Sequence, residues 1–377
     1  MALDNLLLLS CRSPFLDDAK IYPPLANLYL KSFVEKETDV KVTLGGDDYD
    51  LKGNFDGYDA VGISIMTPQR EEAYMLADRI KFTNPEVKVI AGGPHVRHYT
   101  EEVMDNLNFD YVVPFDGERS LVKIVNGTND RKIVDVMSKK DILNAPRPDR
   151  TSEQARELIQ GYSYTLGDRE STTMMTGRGC PEMCTFCEDA QTGVKWSGLD
   201  NLKAEMDDIV DLGYRGVYIF DDLFAIAKPK VEPIAEALLE RDLIYRCNAQ
   251  ARYFTQWGED MAKLLGDTGC YEIAFGAESG SQTILDNIKK RCTVEQNYQT
   301  VEFAKRQGIK VKAFVLLGLP GETLDTLNET ETFIKNSGVD DFQCAVYYPF
   351  KGTEIRRQMD EGEDVDLSFG GEGLGAY

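Results

Sequence analysis

Three cysteines within eight residues carry the clearest chemical signal in this sequence. Cys180, Cys184 and Cys187 have the spacing C-x3-C-x2-C. Three thiolates at this spacing can converge on one side of a tight loop and bind a cubane iron–sulfur cluster. Most ferredoxin-type clusters have four cysteine ligands and only transfer electrons. The next cysteine, Cys247, follows 60 residues later, so the spacing predicts a cluster whose fourth iron is open to a small molecule.

Two other uses of these cysteines compete with the cluster. A structural zinc ion normally has four ligands in two close pairs, and the two histidines, His95 and His98, lie far upstream. A disulfide framework is typical of small secreted proteins, whereas the 8 cysteines here are mostly scattered over 377 residues. The remaining cysteines are interpreted as small apolar residues: Cys11, Cys247, Cys270, Cys292 and Cys344.

The composition limits the classes of function. The chain has 64 acidic and 42 basic residues, a net charge of -22, and 42% hydrophobic residues. A surface this acidic repels phosphate backbones and anionic membranes, so we expect no nucleic-acid partner. No stretch approaches the roughly 20 apolar residues of a membrane span, and the apolar run 6–9 is too short for a signal sequence. We therefore expect a cytoplasmic protein with no membrane partner.

The first 127 residues follow an α/β pattern. Buried strands alternate there with amphipathic helices, which predicts a doubly wound, Rossmann-like domain whose parallel sheet is covered on both faces. The predicted strands are 3–11, 40–44, 59–66, 87–91 and 111–113. The first predicted helix begins at Pro23-Pro24 and ends at about 37. Further helices are predicted at 70–82, at 101–107 and after Gly117.

A second α/β segment follows a charged stretch, 128–170, which contains Pro146 and Pro148 and is predicted to be a linker. Within 171–353 the strands are expected at 173–176, 216–220, 245–250, 272–275, 310–317 and 341–347. The helices are expected at 199–212, 229–240, 258–267, 281–289, 294–307 and 322–336. Six strand–helix units, against the eight of a complete barrel, predict a partial (β/α)6 TIM barrel. Residues 354–377, acidic and then Gly-rich, are expected to form a frayed, solvated tail.

The candidate site residues share one position in this scheme. The three cysteines follow the first predicted barrel strand, Asp221 and Asp222 follow the second, Arg252 the third and Glu278 the fourth. In parallel barrels the carboxyl ends of the strands carry the catalytic groups. We therefore expect these residues to meet at one mouth of the barrel.

Residues 172–353 resemble the radical S-adenosylmethionine superfamily through the motif C-x3-C-x-aromatic-C in its strand–loop–helix context. The resemblance implies a [4Fe–4S] cluster on Cys180, Cys184 and Cys187, with S-adenosylmethionine on the open iron. An electron from a donor such as flavodoxin or ferredoxin would cleave the bound molecule to methionine and a 5'-deoxyadenosyl radical. The cofactor carries this chemistry, while the protein positions it and excludes water.

The resemblance also implies roles for the residues around the cysteines. Phe186 would pack near the adenine, and Asp221 and Asp222 would bind the methionine ammonium. Arg252 would pair with the methionine carboxylate, and Glu278 would accept hydrogen bonds from the ribose hydroxyls. Ordinary roles stay open for each: loop packing, helix capping, a surface salt bridge and a solvated charge, respectively. No residue that acts on the substrate itself can be identified.

The first half resembles the cobalamin-binding domain that is fused to many radical S-adenosylmethionine enzymes. The similarity spans 3–126 and rests on the segments 23–26, 59–67, 92–95 and 110–113, with Gly117-Glu118. The motif Asp-x-His-x-x-Gly, which supplies a histidine to cobalt in methionine-synthase-like domains, is absent, so histidine ligation is not expected. A fold that persists without a corrin is the alternative. The implied corrin contacts are Ser64, Thr67, Gly92, Gly93 and His95.

The sequence therefore predicts a cobalamin-dependent radical enzyme that methylates an unactivated centre of a small molecule or peptide. Radical cyclisation, rearrangement or oxidation without methyl transfer is the alternative within the same architecture. A noncatalytic metal-binding protein is the alternative of another class. Methylthiolation of transfer RNA would need a second cysteine-held cluster in the first half, where Cys11 stands alone.

Overall fold

Runs of leucine, valine and isoleucine form the buried strands of two separate sheets. The computed structural model describes residues 3–11, 20–45 and 55–367. The chain divides into two compact units between Tyr164 and Thr165. The end of the expected tail, 368–377, lies outside the described residues. Among the described helices, none is both long enough and apolar enough to cross a membrane.

The first unit is built on a five-stranded parallel sheet in the order β2-β1-β3-β4-β5. Its strands are β1 (Asn5–Ser10), β2 (Lys41–Leu44), β3 (Ala60–Ser64), β4 (Lys88–Gly92) and β5 (Tyr111–Val112). Its helices are α1 (Leu25–Glu37), α2 (Arg70–Thr83), α3 (Pro94–His98), α4 (Thr100–Asp105), α5 (Gly117–Val125), α6 (Lys139–Asn144) and α7 (Glu153–Gln160). The last two helices lie within the segment that was predicted to be a linker.

Both faces of this sheet are covered, as a doubly wound domain requires. Leu7 packs in a core with Leu76 and Ile80 of α2. Leu6 and Leu8 point to the opposite face, because side chains alternate along a strand, and both are also buried. The strand order reverses between β1 and β3, and in folds of this kind ligands bind beyond the carboxyl ends of the strands at that reversal.

The second unit is a curled, mostly parallel sheet in the order β14-β13-β12-β11-β10-β7-β6. Six of its strands, β7 and β10 to β14, pair in parallel, which confirms the predicted partial barrel. The strands are β6 (Tyr164–Leu166), β7 (Arg169–Met174), β8 (Gly177–Arg178), β9 (Lys195–Trp196), β10 (Gly216–Ile219), β11 (Ile244–Ala249), β12 (Cys270–Glu278), β13 (Lys310–Leu317) and β14 (Asp341–Val346). Strands β8 and β9 form a separate antiparallel hairpin.

Helices connect the barrel strands, and several of them begin at polar caps. They are α8 (Leu199–Asp211), α9 (Lys228–Leu239), α10 (Ala251–Gln256), α11 (Glu259–Asp267), α12 (Gln282–Asn287), α13 (Val294–Arg306), α14 (Leu324–Ser337) and α15 (Glu354–Asp360). The Thr293 side chain accepts a hydrogen bond from the N–H of Gln296, and the Thr323 side chain accepts one from the N–H of Thr326. Such caps satisfy N–H groups that have no partner within the helix.

The expectation of a frayed tail is wrong for residues 354–367. Thr353 caps α15, and its side chain accepts a hydrogen bond from the N–H of Arg356 at 3.2 Å. Ile355 is buried and Met359, four residues later, packs against the same apolar cluster, because positions i and i+4 share a helix face. The N–H of Gly321 also donates to the carbonyl of Asp366 at 3.0 Å. Residues 354–367 therefore form an ordered segment, although their acidic composition predicts a solvated tail.

Candidate functional site

The three cysteines lie in the loop that connects the two strands of the β8–β9 hairpin. Three backbone hydrogen bonds fold this loop: the N–H of Gly193 donates to the carbonyl of Cys180 at 3.1 Å, that of Gln191 to the carbonyl of Glu182 at 2.8 Å, and that of Cys187 to the carbonyl of Cys184 at 3.2 Å. The N–H of Thr185 donates to the carbonyl of Ile288 at 3.0 Å, which joins the loop to the segment after α12. We call residues 179–193 the cysteine loop.

A glycine directly before the first cysteine allows the cysteine loop to close. Gly179 has a φ of +93°, a left-handed conformation that residues with a Cβ rarely adopt. A Cβ at this position would lie 2.4 Å from the carbonyl oxygen of Gly193. The N–H of Gly179 donates to Oδ2 of Asp222 at 2.7 Å. The glycine thus fits the closed loop and also ties it to the residues that follow β10.

The cysteines of the loop are free thiols within electrostatic reach of one another. The pKa of each thiol is raised to about 11, mainly by burial and to a smaller extent by charge on a neighbouring cysteine. At neutral pH such thiols stay protonated unless a cationic partner compensates the thiolate charge. A metal group is such a partner, because metal binding releases the thiol proton.

The chemistry of this donor set fits an iron–sulfur cluster. Cysteine thiolates are the ligands that hold such clusters. Across residues 3–11, 20–45 and 55–367, no three His, Cys, Asp or Glu side chains stand close enough to hold one metal ion. The three thiols of the cysteine loop are free, which is the state in which they could bind a cluster.

Asp221 and Asp222 stand together after β10 but in different surroundings. Asp221 is 2% exposed, and its carboxylate accepts hydrogen bonds from the N–H of Thr176 (2.6 Å) and from its hydroxyl (2.5 Å). Burial raises the pKa of Asp221 to about 7. Asp222 is exposed and accepts from Gly179 of the cysteine loop. Of the two aspartates, Asp222 is the one that a ligand can reach.

Arg252 lies in α10, a short helix that the sequence pattern did not predict. Its Nη2 donates to Oε1 of Glu182 at 2.6 Å and to the hydroxyl of Tyr253 at 2.7 Å. Glu182 lies between the first two cysteines and is 2% exposed. Oε2 of Glu182 and Nε of Arg252 are buried without a hydrogen-bond partner in the described part of the chain. The predicted carboxylate-binding residue is therefore tied to the cysteine loop.

Glu278 closes β12 and forms a buried ion pair. Its Oε1 accepts a hydrogen bond from Nζ of Lys290 at 2.7 Å, and both side chains are 8% exposed. Burial would lower the pKa of Lys290, but the Glu278 carboxylate raises it above its ordinary value. The ordinary alternative for Glu278, a solvated charge, therefore does not apply, and its predicted contact with a ribose stays a prediction.

Phe186, between the second and third cysteines, is partly buried beside this pair. Nζ of Lys290 lies 5.9 Å from the centroid of its ring. The ring packs against an apolar cluster formed by Ile284, Ile288, Leu319, Tyr347 and Ile355. The structure thus brings Phe186, Asp222, Arg252 and Glu278 around the cysteine loop, whereas Asp221 is turned into the protein.

Three residues near the cysteines were missed in the sequence. Glu182 lies inside the cysteine motif, and this position could have indicated that it belongs to the site. Lys290 and Cys292 reach the site only through the fold of the segment after α12, which no local pattern reveals. The thiol of Cys292 is buried and lies close enough to Cys184 for a charge on one to raise the pKa of the other.

In the first unit, the predicted corrin contacts lie at the carboxyl ends of β3 and β4. Ser64 and Gly92 are partners in the register of these strands. Gly93 follows with a φ of +98°, and a Cβ there would lie 2.7 Å from the backbone nitrogen of Ile65 and 3.1 Å from Oγ of Ser64. This glycine lets two backbone segments approach closely, which leaves the edge of the sheet free of a side chain at that point.

His95 is fully buried beneath the same edge. Its Nδ1 lies 3.3 Å from Oγ1 of Thr67, and its Nε2 lies 3.1 Å from the hydroxyl of Tyr74. The ring stacks on Tyr99 with a centroid distance of 4.7 Å. Both ring nitrogens therefore contact hydroxyl groups of the protein.

Comparison with known proteins assigns both units. Residues 174–334 match the family model of the radical SAM superfamily, and residues 21–125 match that of the B12 binding domain. An uncharacterized methyltransferase of Pyrococcus horikoshii is 30% identical over 357 residues, which cover 88% of this chain and 77% of the relative.

Two further relatives are longer. An anaerobic magnesium-protoporphyrin IX monomethyl ester cyclase of Rubrivivax gelatinosus is 24% identical and matches 82% of this chain and 59% of its own length. A cytidylyl-2-hydroxyethylphosphonate methyltransferase of Streptomyces wedmorensis is 23% identical and matches 80% of this chain and 66% of its own length. The chain thus spans less than two thirds of either relative.

Solved structures share the fold. The cobalamin-dependent S-adenosylmethionine radical enzyme OxsB, with aqua-cobalamin and S-adenosylmethionine bound, superposes with a TM-score of 0.78 at 18% identity, over 98% of this chain and 64% of that one. The radical S-adenosylmethionine methyltransferase TsrM from Kitasatospora setae gives a TM-score of 0.75 at 16% identity, over 96% and 75%.

The fold and the site thus define a metalloenzyme class in which a partial barrel with a three-cysteine loop accompanies a cobalamin-binding domain. The chain belongs to the radical SAM superfamily and carries a B12-binding domain. Its cofactors are those predicted: a [4Fe–4S] cluster, S-adenosylmethionine and cobalamin. The family matches, with two methyltransferases among the three relatives described, support cobalamin-dependent radical methylation over the predicted alternatives.

Proposed function

We propose that this enzyme transfers a methyl group from S-adenosylmethionine, through cobalamin, to an unactivated carbon or phosphorus centre of a small molecule or peptide. The observation that carries the proposal is the loop of three free thiols, next to the strand ends of a partial barrel, in a chain that also has a B12-binding domain. When bound, the cluster and S-adenosylmethionine supply the radical that activates the substrate, and cobalamin supplies the methyl group.

The cysteine loop has the role of holding the cluster in one orientation. Cys180, Cys184 and Cys187 are the three ligands in this proposal. The hairpin bonds at both ends of the loop and the Gly179–Asp222 contact support it, because they restrict the backbone between the thiols. A loop held in this way loses little conformational freedom when the cluster binds.

Asp222 is the proposed partner of the methionine ammonium. Its carboxylate is exposed and has one oxygen on the N–H of Gly179, so it adjoins the loop that would hold the cluster. Asp221 supports this position from below, since its contact with Thr176 joins the end of β10 to the segment after β7. Together the two aspartates would present one accessible charge at a fixed place.

Arg252, Glu278 and Phe186 are proposed to contact the rest of S-adenosylmethionine. Arg252 has a free Nε–H for the methionine carboxylate while Nη2 stays on Glu182. Glu278 uses Oε1 for Lys290, which leaves its other oxygen for a ribose hydroxyl. Phe186 offers a partly buried ring to the adenine. The buried, unpartnered atoms of Arg252 and Glu182 support a polar ligand at this point, because such atoms normally have partners.

In the first unit, the corrin would lie across the carboxyl ends of β3 and β4, on Ser64, Thr67, Gly92 and Gly93. The close backbone approach at Gly93 supports this, because a flat macrocycle needs an edge without protruding side chains. His95 would act on the corrin only through Thr67, with which its ring is in contact.

The partners are proposed from the charge of the chain. A net charge of -22 favours a neutral or cationic substrate over an anionic one. The electron would come from a one-electron donor such as flavodoxin or ferredoxin. Residues 341–346 of β14, at the edge of the partial barrel, are exposed at every position, which leaves room for a substrate or partner at that side of the sheet.

The test is anaerobic reconstitution with iron, sulfide and hydroxocobalamin, followed by incubation with S-adenosylmethionine, a low-potential reductant and candidate substrates. Methyl transfer yields both 5'-deoxyadenosine and S-adenosylhomocysteine. Deoxyadenosine without S-adenosylhomocysteine would contradict methylation and favour ring closure, rearrangement or oxidation. Zinc in place of iron after anaerobic purification would support a noncatalytic metal-binding protein.

A further inference from the structure

The buried ion pair of Lys290 and Glu278 is more than a packing contact. Each of the two side chains is 8% exposed, and the distance between Nζ and Oε1 is 2.7 Å, so water screens the pair only weakly. Burying two charges costs free energy that their attraction often fails to recover. A pair kept at such a cost is a candidate for a functional role.

The backbone around this pair is strained at both ends. Five non-glycine residues have a positive φ in the described part of the chain, and three of them belong to this site. Glu278 itself has a φ of +58°, and the two neighbours of Lys290, Lys289 and Arg291, have values of +52° and +58°. Such conformations cost about 1 to 3 kcal/mol each and cluster at functional sites. The register of β12 with β13 also shifts between Gly276 and Glu278, and irregularities of this kind re-aim a side chain.

A glycine makes room for the pair. A Cβ on Gly276 would lie 2.1 Å from Oε1 of Glu278 and 2.7 Å from Nζ of Lys290. The segment that carries Lys290 is held in addition by the side chain of Gln250, whose Nε2 donates to the carbonyl of Lys290 at 3.2 Å. The local backbone and its neighbours thus fix the position of one ammonium group.

The cationic end of the pair faces the cysteine loop. Nζ of Lys290 lies 5.9 Å from the ring centroid of Phe186, between Cys184 and Cys187 in sequence. The carbonyl of Ile288, two residues before Lys290, accepts a hydrogen bond from the N–H of Thr185, the residue after Cys184. This bond and the Phe186 contact place the ammonium group of Lys290 beside the segment that carries Cys184 and Cys187.

We propose that Lys290 is a positioning residue whose fixed charge raises the reduction potential of the cluster and so eases the entry of the electron from an external one-electron donor. A reduced cluster carries one more negative charge than the oxidised cluster, so a cation at a fixed place in a protected site stabilises the reduced state more. The inference rests on the cluster of the proposed function, but it does not depend on methyl transfer or on the substrate.

The test is a redox titration of the full chain, reconstituted with iron, sulfide and hydroxocobalamin, followed by the electron paramagnetic resonance signal of the reduced cluster. Lys290→Met removes the charge and keeps the length of the side chain. We expect the equilibrium constant for reduction to fall about tenfold, which for a one-electron couple is about 59 mV toward more negative potential. Lys290→Arg keeps the charge and should restore the wild-type potential.

A matched control separates the charge at this site from the loss of any buried lysine. Lys31 in the first unit is 6% exposed and pairs with Glu35 at 2.6 Å, and Lys31→Met should leave the potential unchanged. A wild-type potential in Lys290→Met, or the same shift in Lys290→Met and Lys290→Arg, would overturn the proposal.

Lys290→Gln serves as a second neutral variant if the Met variant does not assemble a cluster. Failure of both neutral variants to hold iron, with a normal cluster in Lys290→Arg, would also overturn the proposal, because the charge would then serve assembly. Since the titration needs no substrate, a shifted potential stands even if no methyl transfer is found, and failure of the methylation assay leaves the result intact.

Discussion

The guanidinium of Arg252 and the carboxylate of Glu182 form an ion pair at 2.6 Å that joins α10 to the cysteine loop. Glu182 is almost completely buried, whereas Arg252 retains 27% exposure of its side chain. The charge of Glu182 therefore depends on Arg252 for its compensation. The residue predicted to bind a ligand carboxylate is thus already in contact with a carboxylate of the protein.

We expect Arg252→Met to destabilise the second unit. The substitution leaves a buried carboxylate without its partner, and breaking such pairs costs about 3 kcal/mol. The double variant Arg252→Met/Glu182→Gln should recover part of that loss, because the unpaired charge is then absent. Urea unfolding of the metal-free protein measures both. Equal loss in the single and the double variant would show that the pair does not stabilise the fold.

Gly179→Ala should prevent cluster assembly. The new Cβ would lie 2.4 Å from the carbonyl oxygen of Gly193 in a residue with a φ of +93°, so the cysteine loop must open. Gly193→Ala is the matched control: its φ is +66°, but a Cβ there meets nothing within 4 Å, and it should cost only the backbone strain of about 1 kcal/mol. Iron and acid-labile sulfide per chain measure the difference. Equal iron content in the two variants would contradict this role of Gly179.

Cys184→Ala should abolish the cluster, while Cys292→Ala should leave iron content and deoxyadenosine formation close to wild type. Both thiols are buried and lie within electrostatic reach of each other. Comparing the two variants therefore tests whether Cys292 is a cluster ligand in addition to Cys184. The prediction follows from the geometry of the cysteine loop, to which Cys292 does not belong. Loss of iron from Cys292→Ala would mean that a fourth thiolate closes the open iron.

The stability of the metal-free protein should fall as the pH rises from 5 to 7.5. Burial raises the folded-state pKa of Asp221 to about 7 from an ordinary value of 3.8. The folded protein therefore binds a proton in this window that the unfolded chain has lost, and raising the pH removes it. The expected loss is about 2 kcal/mol. Asp221→Asn should lose markedly less over the same window in urea unfolding. An identical pH dependence in both proteins would contradict the buried, protonated carboxyl.

Much of the fold could be predicted because strands such as β1 and β3 are apolar and buried. Strands of this kind alternate along the chain with amphipathic helices, and the contrast can be recognised from neighbouring residues alone. The β8–β9 hairpin was missed because two-residue strands carry no periodic signal. Helix α15 was missed because it lies in a segment that was interpreted as an acidic tail, and its two apolar positions, Ile355 and Met359, find their packing partners only in the folded protein.

In the candidate site, too, some features could be predicted from the sequence and others could not. The cysteines and the strand-end residues could be found from spacing and topology, which are properties of the chain. The partners of Arg252 and Glu278 could not, because Glu182 and Lys290 lie 70 and 12 residues away from them in sequence. A buried ion pair is decided by the packing of distant elements, and the sequence states only that the charges exist.

In the proposed site, three thiolates hold the cluster and leave one iron open for S-adenosylmethionine. The most direct measurement is the electron paramagnetic resonance and nuclear-hyperfine spectrum of the reduced cluster, with S-adenosylmethionine that carries nitrogen-15 in its amino group. We expect the cluster signal to change on addition and to show coupling to that nitrogen. An unchanged signal without coupling, from a chain that holds a full cluster, would show that S-adenosylmethionine does not bind to an open iron.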